Sequence, residues 1–293
     1  MKYNYVLLNG SVITRESWLK DPEEWILQAD QAIRADFFAS GNRIPFLEAS
    51  LRILTLRFQS VGWELPIALS YPMLLPKFEK LLNKNRSFKG TVIHLVIMPV
   101  EVTAGLDGTK GFQYLAFTEE RPDDFFPLNS KGLAIGISSG YRNSGEPFYS
   151  SMVRSRIRSL LIREECVANG WDEILLLDPK GRLSEASSAN VFLRIKDRVV
   201  TPGPENNCFP RLMTGITKNL IIKAGLNFTE VHKITPEDLG NAEEVFLTDD
   251  LYGIRWVLSY ENKRYYRKVS SALSERLKDL VQRTDQFSMG SSG

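Results

Sequence analysis

The chain has 293 residues, of which 43% are hydrophobic, 25% charged and 11% aromatic, enough to bury two medium-sized cores and to exclude a disordered protein. Its 37 Lys+Arg against 35 Asp+Glu leave a formal charge of +2, which supplies neither the basic footprint of a nucleic-acid binder nor an acidic counterpart. Two cysteines, Cys166 and Cys208, and two histidines, His94 and His232, argue against a disulfide framework and a Cys/His metal site and point to a reducing cytoplasm.

No apolar stretch approaches the ~20 residues of a membrane span, and residues 1–15 read as strand rather than as a targeting segment. MKYNYVLLNGSVITR predicts two short strands around Asn9-Gly10, a pair that favours a tight hairpin. From Pro45, the residues Leu47, Leu51, Leu54, Phe58 and Val61 recur at helical steps, and a second helix follows over 68–85. The run TVIHLVIMPV is apolar enough to be covered on both faces, with His94 a half-buried strand residue, and GFQYLAF is the next strand.

The charged, proline-broken TEERPDDFFP marks a boundary between a smaller N-terminal α+β domain, 1–120, and a larger C-terminal one, 128–293. Beyond it come the strand GLAIGI, a loop SSGYRNSGEPF, and a helix over 151–169 expected to bury Val153, Ile157, Leu160, Leu161 and Val167. EILLLD, a turn at Pro179–Gly181 and a strand running through VFLRI read as a hairpin, and a tight turn at Lys196-Asp197 leads into VVTP. A helix opens at Gly215 and stops at Gly225. TPEDL carries a capping box on Thr235 and Asp238, EVFLT and GIRWVLSY are strands, and 269–283 is a terminal helix ahead of a frayed SMGSSG. Strands linked by short turns, helices in both halves and no GxGxxG indicate α+β rather than a Rossmann pattern.

Two segments of the second half carry chemistry. In GRLSEASSANVF a glycine turn precedes a strand with one carboxylate, Glu185, among small residues. In LMTGITK a glycine gives way to a helix whose first N–H groups, with the Thr217 hydroxyl, suit a phosphate. Each also has a bland reading, as a solvated strand glutamate and an ordinary helix start.

Together, in this order, they resemble the class IV aminotransferases, the pyridoxal-phosphate family of branched-chain and D-amino-acid aminotransferases and aminodeoxychorismate lyase. GWDEILLLDPKGRLSEASSANVFL is similar to the family's G-x-x-E-x-x-x-L-D-x-x-G-x-x-x-E-x-x-x-x-N-x-F segment, and VVTP, GIT and NAEEVFLTDDLYGIRWV follow in family order. The match covers 147–258, with a looser one through VLLNG and IPFLEASLRIL. The resemblance implies a two-domain class IV aminotransferase-like (D-amino-acid aminotransferase-like) fold, a homodimer, and an interdomain cleft that takes pyridoxal phosphate and an amino acid, oxo acid or other anion, with no nucleic acid, membrane or metal. It assigns Glu185 to the pyridine nitrogen and Gly215, Ile216 and Thr217 to the phosphate, with Asn190, Thr248 and Arg57 as further cofactor-binding residues.

The family's Schiff-base lysine has no counterpart. Its position falls on Ser151 or Met152, and FYSSMVRSRIRSLLIREE contains no lysine. The arginines of that stretch cannot replace it, because a guanidinium stays protonated. The arginine of the family's H-x-x-R-L falls on Ile53, with Arg57 one turn on, and the small hydroxyl turn after V-F-x-T is Thr248-Asp249-Asp250, whose carboxylates oppose a phosphate. Arg142, Arg154 and Arg156 are candidates to hold an anion in the vacated site. Three functions follow: a degenerate or repurposed pyridoxal-phosphate fold; an active aminotransferase or aminodeoxychorismate lyase using Lys131 or Lys218; or a non-enzymatic small-anion-binding or interaction protein.

Overall fold

The structure is a computed structural model that describes residues 3–20, 32–101, 110–121, 125–143, 156–209 and 211–289. These divide into two compact units, 1–125 and 126–293. In the first, β1 (Tyr5–Leu8) and β2 (Ser11–Thr14) are joined by Asn9-Gly10, whose φ angles of 45° and 93° are the left-handed pair that such a hairpin demands. The short helix α1 (Arg15–Trp18) follows. With β3 (Ile33–Ser40), β4 (Gly90–Glu101) and β5 (Lys110–Glu120) the strands form an antiparallel sheet in the order β2-β1-β5-β4-β3.

Two longer helices follow in this unit, α2 (Leu47–Gln59) and α3 (Tyr71–Asn85). The apolar spacing read in the sequence places Leu47, Leu51, Leu54 and Phe58 on the buried face of α2. The Phe58 ring meets Phe112 of β5 at 5.5 Å. Asn85 ties the end of α3 to β1, accepting from the Asn4 and Tyr5 N–H groups at 3.0 and 2.9 Å.

The second unit carries β6 (Leu133–Arg142), α4 (Arg156–Asn169), β7 (Glu173–Leu177), β8 (Leu183–Ala186), β9 (Asn190–Ile195) and β10 (Arg198–Pro202). It continues with α5 (Leu212–Lys223), β11 (Asn227–Val231), α6 (Pro236–Asn241), β12 (Glu244–Asp249), β13 (Gly253–Tyr260), β14 (Lys263–Arg264) and α7 (Lys268–Met289). The sheet order is β11-β10-β9-β12-β13-β6-β7-β8, with β14 on β13; three of its pairings are parallel and the rest antiparallel, an α+β arrangement. Because β8 ends the order yet reaches β9 through 187–189, where the Ala186 N–H meets the Ala189 carbonyl at 2.8 Å, the sheet curls back on itself. One face packs Leu175, Val191, Leu193, Leu247 and Val257. On the other, Phe192 and Phe246 stack at 5.2 Å, and α5 and α7 lie against β12. Glu244 is buried there and accepts the Val269 and Ser270 N–H groups at 2.8 and 2.7 Å, anchoring the start of α7.

Several expectations are corrected. The strand through VFLRI is two strands, because Ser187 and Ser188 turn inward to the Glu173 carboxylate and break the ladder. The expected loop SSGYR is the end of β6. On α4 the buried stripe is Ile162 and Cys166, against Ile174, Leu176 and Trp171, while Ile157, Leu160 and Val167 are 64%, 54% and 74% exposed. The inner face of α4 is set by polar ties to β6: Glu165 accepts from the Ser138 hydroxyl at 2.7 Å and the Ser139 N–H at 2.8 Å, and Arg158 donates to the Arg142 carbonyl at 2.9 Å. Gly136 of β6 admits the Trp171 ring so closely that a Cβ there would lie 2.2 Å from it. The capping box on Thr235 forms as expected. Val153 lies outside the described residues. Among those residues no helix is long and apolar enough to cross a membrane.

His94 is half-buried in β4 between two carboxylates, Asp36 at 2.8 Å on β3 and Glu119 at 3.2 Å on β5. Burial pulls its pKa down, but the hydrogen bonds and charges of Asp36 and Glu119 outweigh that and raise it. A histidine whose folded pKa is raised contributes stability in full below its unfolded value of about 6.5, and that contribution is lost as pH rises through the folded value. His94→Gln is therefore expected to lower Tm more at pH 5.5 than at pH 8.5, as measured by thermal melts at both; an equal loss at the two would contradict the protonated pairing.

Candidate functional site

Glu185 lies within the short strand β8, paired with Leu176, and is buried to 6% exposure. Both oxygens are engaged. Oε2 accepts the Arg211 Nη1 at 2.8 Å and the Phe209 N–H at 3.1 Å, and Oε1 accepts the Asn143 amide at 3.2 Å. Arg211 itself is buried, its side chain 4% exposed, and Nη1 also donates to Asn190 Oδ1 at 3.0 Å. Asn190 Oδ1 takes a further bond from the Thr214 hydroxyl at 2.7 Å. One buried network thus joins the ends of β6 and β8, the start of β9 and the start of α5. Cys208 lies beside it: burial, with the Glu185 charge next, pushes its thiol up to about 12, and Sγ donates to the Ser184 carbonyl at 3.1 Å.

The start of α5 differs from expectation. The helix begins at Leu212, so Gly215, Ile216 and Thr217 lie inside it and their N–H groups belong to the helical ladder. The free N–H of Met213 is taken instead by Asp250 Oδ1 at 2.7 Å. Asp249 accepts the Leu251 and Tyr252 N–H groups at 2.9 and 2.7 Å and pairs with Arg255 at 3.1 Å; Arg255 also reaches Glu173 at 3.4 Å. Burial raises the pKa of Asp249 and Asp250, opposed by Arg255 for the first and by the Met213 N–H and Arg211 for the second. The Thr217 and Thr248 hydroxyls and Arg211 Nη2 are buried without a hydrogen-bond partner.

The structure therefore brings Glu185, Asn190, Thr217 and Thr248 to one region of the second unit, places Asp250, read in the sequence as opposing a phosphate, at the start of α5, and adds Arg211 and Asn143, which sequence reasoning did not select. Arg211 carried no signal, since nothing local distinguishes it from a surface arginine. Arg57 lies in the first unit, buried on α2, with Nη2 3.4 Å from the Arg34 carbonyl. Arg142 ends β6 with an exposed side chain. Ser151, Met152 and Arg154 lie outside the described residues, as does the side chain of Arg156. Lys218 is paired with Glu230, and Lys131 sits in an exposed turn where its carbonyl accepts the Asn129 amide at 2.8 Å.

Residues 63–260 match the model of the amino-transferase class IV family, and the chain belongs to that family. It is 29% identical over 141 residues to a probable branched-chain-amino-acid aminotransferase of Aquifex aeolicus, covering 46% of this chain and 44% of that protein. A probable branched-chain-amino-acid aminotransferase of Synechocystis is 33% identical over 140 residues, covering 46% and 45%. The matched stretch thus spans less than half the length of these curated relatives. The fold is that of the branched-chain amino acid aminotransferase of Thermobaculum terrenum in its PLP form, with a TM-score of 0.79 at 17% identity over 96% of this chain and 94% of that one.

Removing the Arg211 guanidinium leaves Glu185 buried without its countercharge, a loss of about 3–5 kcal/mol in comparable pairs. Arg211→Ala is expected to lower unfolding stability by that order in denaturant melts, and the double variant Glu185→Gln with Arg211→Met to recover much of it. A full loss in the double variant would mean that the pair matters through packing alone.

Proposed function

We propose that this protein is a class IV aminotransferase fold that has given up Schiff-base chemistry, a degenerate or repurposed member of its family. The observation that carries this reading is the buried Glu185–Arg211 pair at 2.8 Å. Pyridoxal phosphate, when bound, supplies an electron sink whose ring nitrogen needs a carboxylate partner and whose aldehyde needs a lysine amine. The residues present do not fit it. The carboxylate assigned to the ring by resemblance is committed to a guanidinium, which cannot give up its proton and carries no ring. The helix turn assigned to the phosphate has its glycine, isoleucine and threonine N–H groups in the ladder and Asp250 at its start. The stretch that resembles the family's lysine helix contains arginines and no lysine. No catalytic step is therefore assigned to this site.

The alternative, an active aminotransferase between an amino acid and a 2-oxo acid, needs an amine from elsewhere in the chain. Lys218 is held by Glu230 and does not meet that need. The homodimer belongs to the same proposal; Ile157, Leu160 and Leu161 on α4 offer an exposed apolar face for a second copy.

Two measurements test the reading. Incubation with pyridoxal phosphate followed by borohydride is expected to give no site-specific lysine adduct on peptide mapping, and a mapped stoichiometric adduct with transaminase activity would overturn it. Sedimentation is expected to show a dimer that Leu160→Glu weakens.

A further inference from the structure

Arg211 and Asp250 meet at one place, the first turn of α5. Arg211 is the residue immediately before the helix, and Met213 contributes one of the N–H groups that no helical carbonyl can satisfy. With the helix starting at Leu212, the Arg211 side chain meets Glu185 and Asn190, and the Met213 N–H meets the Asp250 carboxylate at 2.7 Å. A cation and an anion thus lie at the same helix start.

Charge counting agrees. A phosphate monoester carries about −1.5 to −2 at pH 7, and Asp249 with Asp250 brings two carboxyl groups to the same turn. The cationic groups facing them are Arg211, already bound to Glu185, and Arg255, already shared between Glu173 and Asp249. A phosphate on this turn would have to displace Asp250 and then face Asp249 and Glu185; among the described residues the two guanidiniums near it already carry carboxylate partners, although Arg211 Nη2 has no hydrogen-bond partner. The substitution is incomplete: Asp250 reaches the helix N–H, but the buried Thr217 and Thr248 hydroxyls and Arg211 Nη2 have no hydrogen-bond partner.

Building on the reading above, we infer that the chain fills both charged ends of its family's cofactor site with its own side chains. The Arg211 guanidinium stands on Glu185 in place of a ring cation, and the Asp250 carboxylate stands on the first turn of α5 in place of a phosphate. The site is closed to the cofactor by occupation as well as by the missing lysine.

The probe is pyridoxine 5′-phosphate, which has the ring and the phosphate but no aldehyde, so its binding is independent of any lysine. In calorimetric titrations of the full chain, the wild type is expected to show no saturation up to about 1 mM, and Asp250→Thr to bind this probe and inorganic phosphate at least about tenfold more tightly. Circular dichroism reports whether the variant is folded. Should it not be, Asp250→Asn keeps the acceptor oxygen for Met213, removes only the charge, and is expected to gain about threefold. Wild-type binding below about 100 μM, or folded variants no better than wild type, would overturn the inference. The two ideas fail separately: a mapped lysine adduct defeats the proposed function, whereas probe binding without an adduct defeats only the inference.

Discussion

A guanidinium does not lose its proton inside a protein, so an arginine buried to 4% exposure must find carboxylate and carbonyl partners or the fold around it cannot form. Arg211 finds Glu185, Asn190 and the Phe209 carbonyl, which lie on β8, on β9 and on the segment just before α5. Satisfying it fixes where β8 ends, how β9 begins and where the helix starts. Such a pair adds little net stability over an apolar replacement of the same shape, because desolvation offsets most of the attraction. Its effect here is registry: it ties β8, β9 and the start of α5 together.

The same constraint extends outward. Glu173, with the Ser187 and Ser188 hydroxyls, joins Arg255 and Asp249, and Asp250 closes the first turn of α5. Four carboxyl groups and two guanidiniums make this region acid-rich, and the difference is met by backbone N–H groups of Met213, Phe209, Leu251 and Tyr252 and by the helix start. Burial raises the pKa of Asp249 and Asp250, so the folded chain holds their protons more firmly than the unfolded one and further negative charge is poorly tolerated.

Much of the scaffold was legible because its signals are local. Asn9-Gly10 needs positive φ and gets it; the α2 stripe from Leu47 to Phe58 packs as spaced; Thr235 and Asp238 cap α6. The errors share a cause. The apolar residues Ile157, Leu160 and Val167 suggested the inner face of α4, but the hydrogen bonds of Glu165 and Arg158 to β6 turn the helix so that Ile162 and Cys166 face inward. The strand from β8 to β9 looked continuous until two serines found Glu173. Glycine suggested a helix start at 215, yet Gly215 is exposed and the helix begins where Arg211 and Asp250 require.

The sequence by itself determined the α+β class, the family and the lack of a lysine in the arginine-bearing stretch before GWDE, because each is written in residue identity and order. Only the tertiary structure decided that Glu185 is occupied by Arg211 and that Asp250 takes the first turn of α5. These pairs join residues 26 and 37 positions apart, and their formation depends on burial, which strips water from charges and forces a choice of partner that no local pattern records.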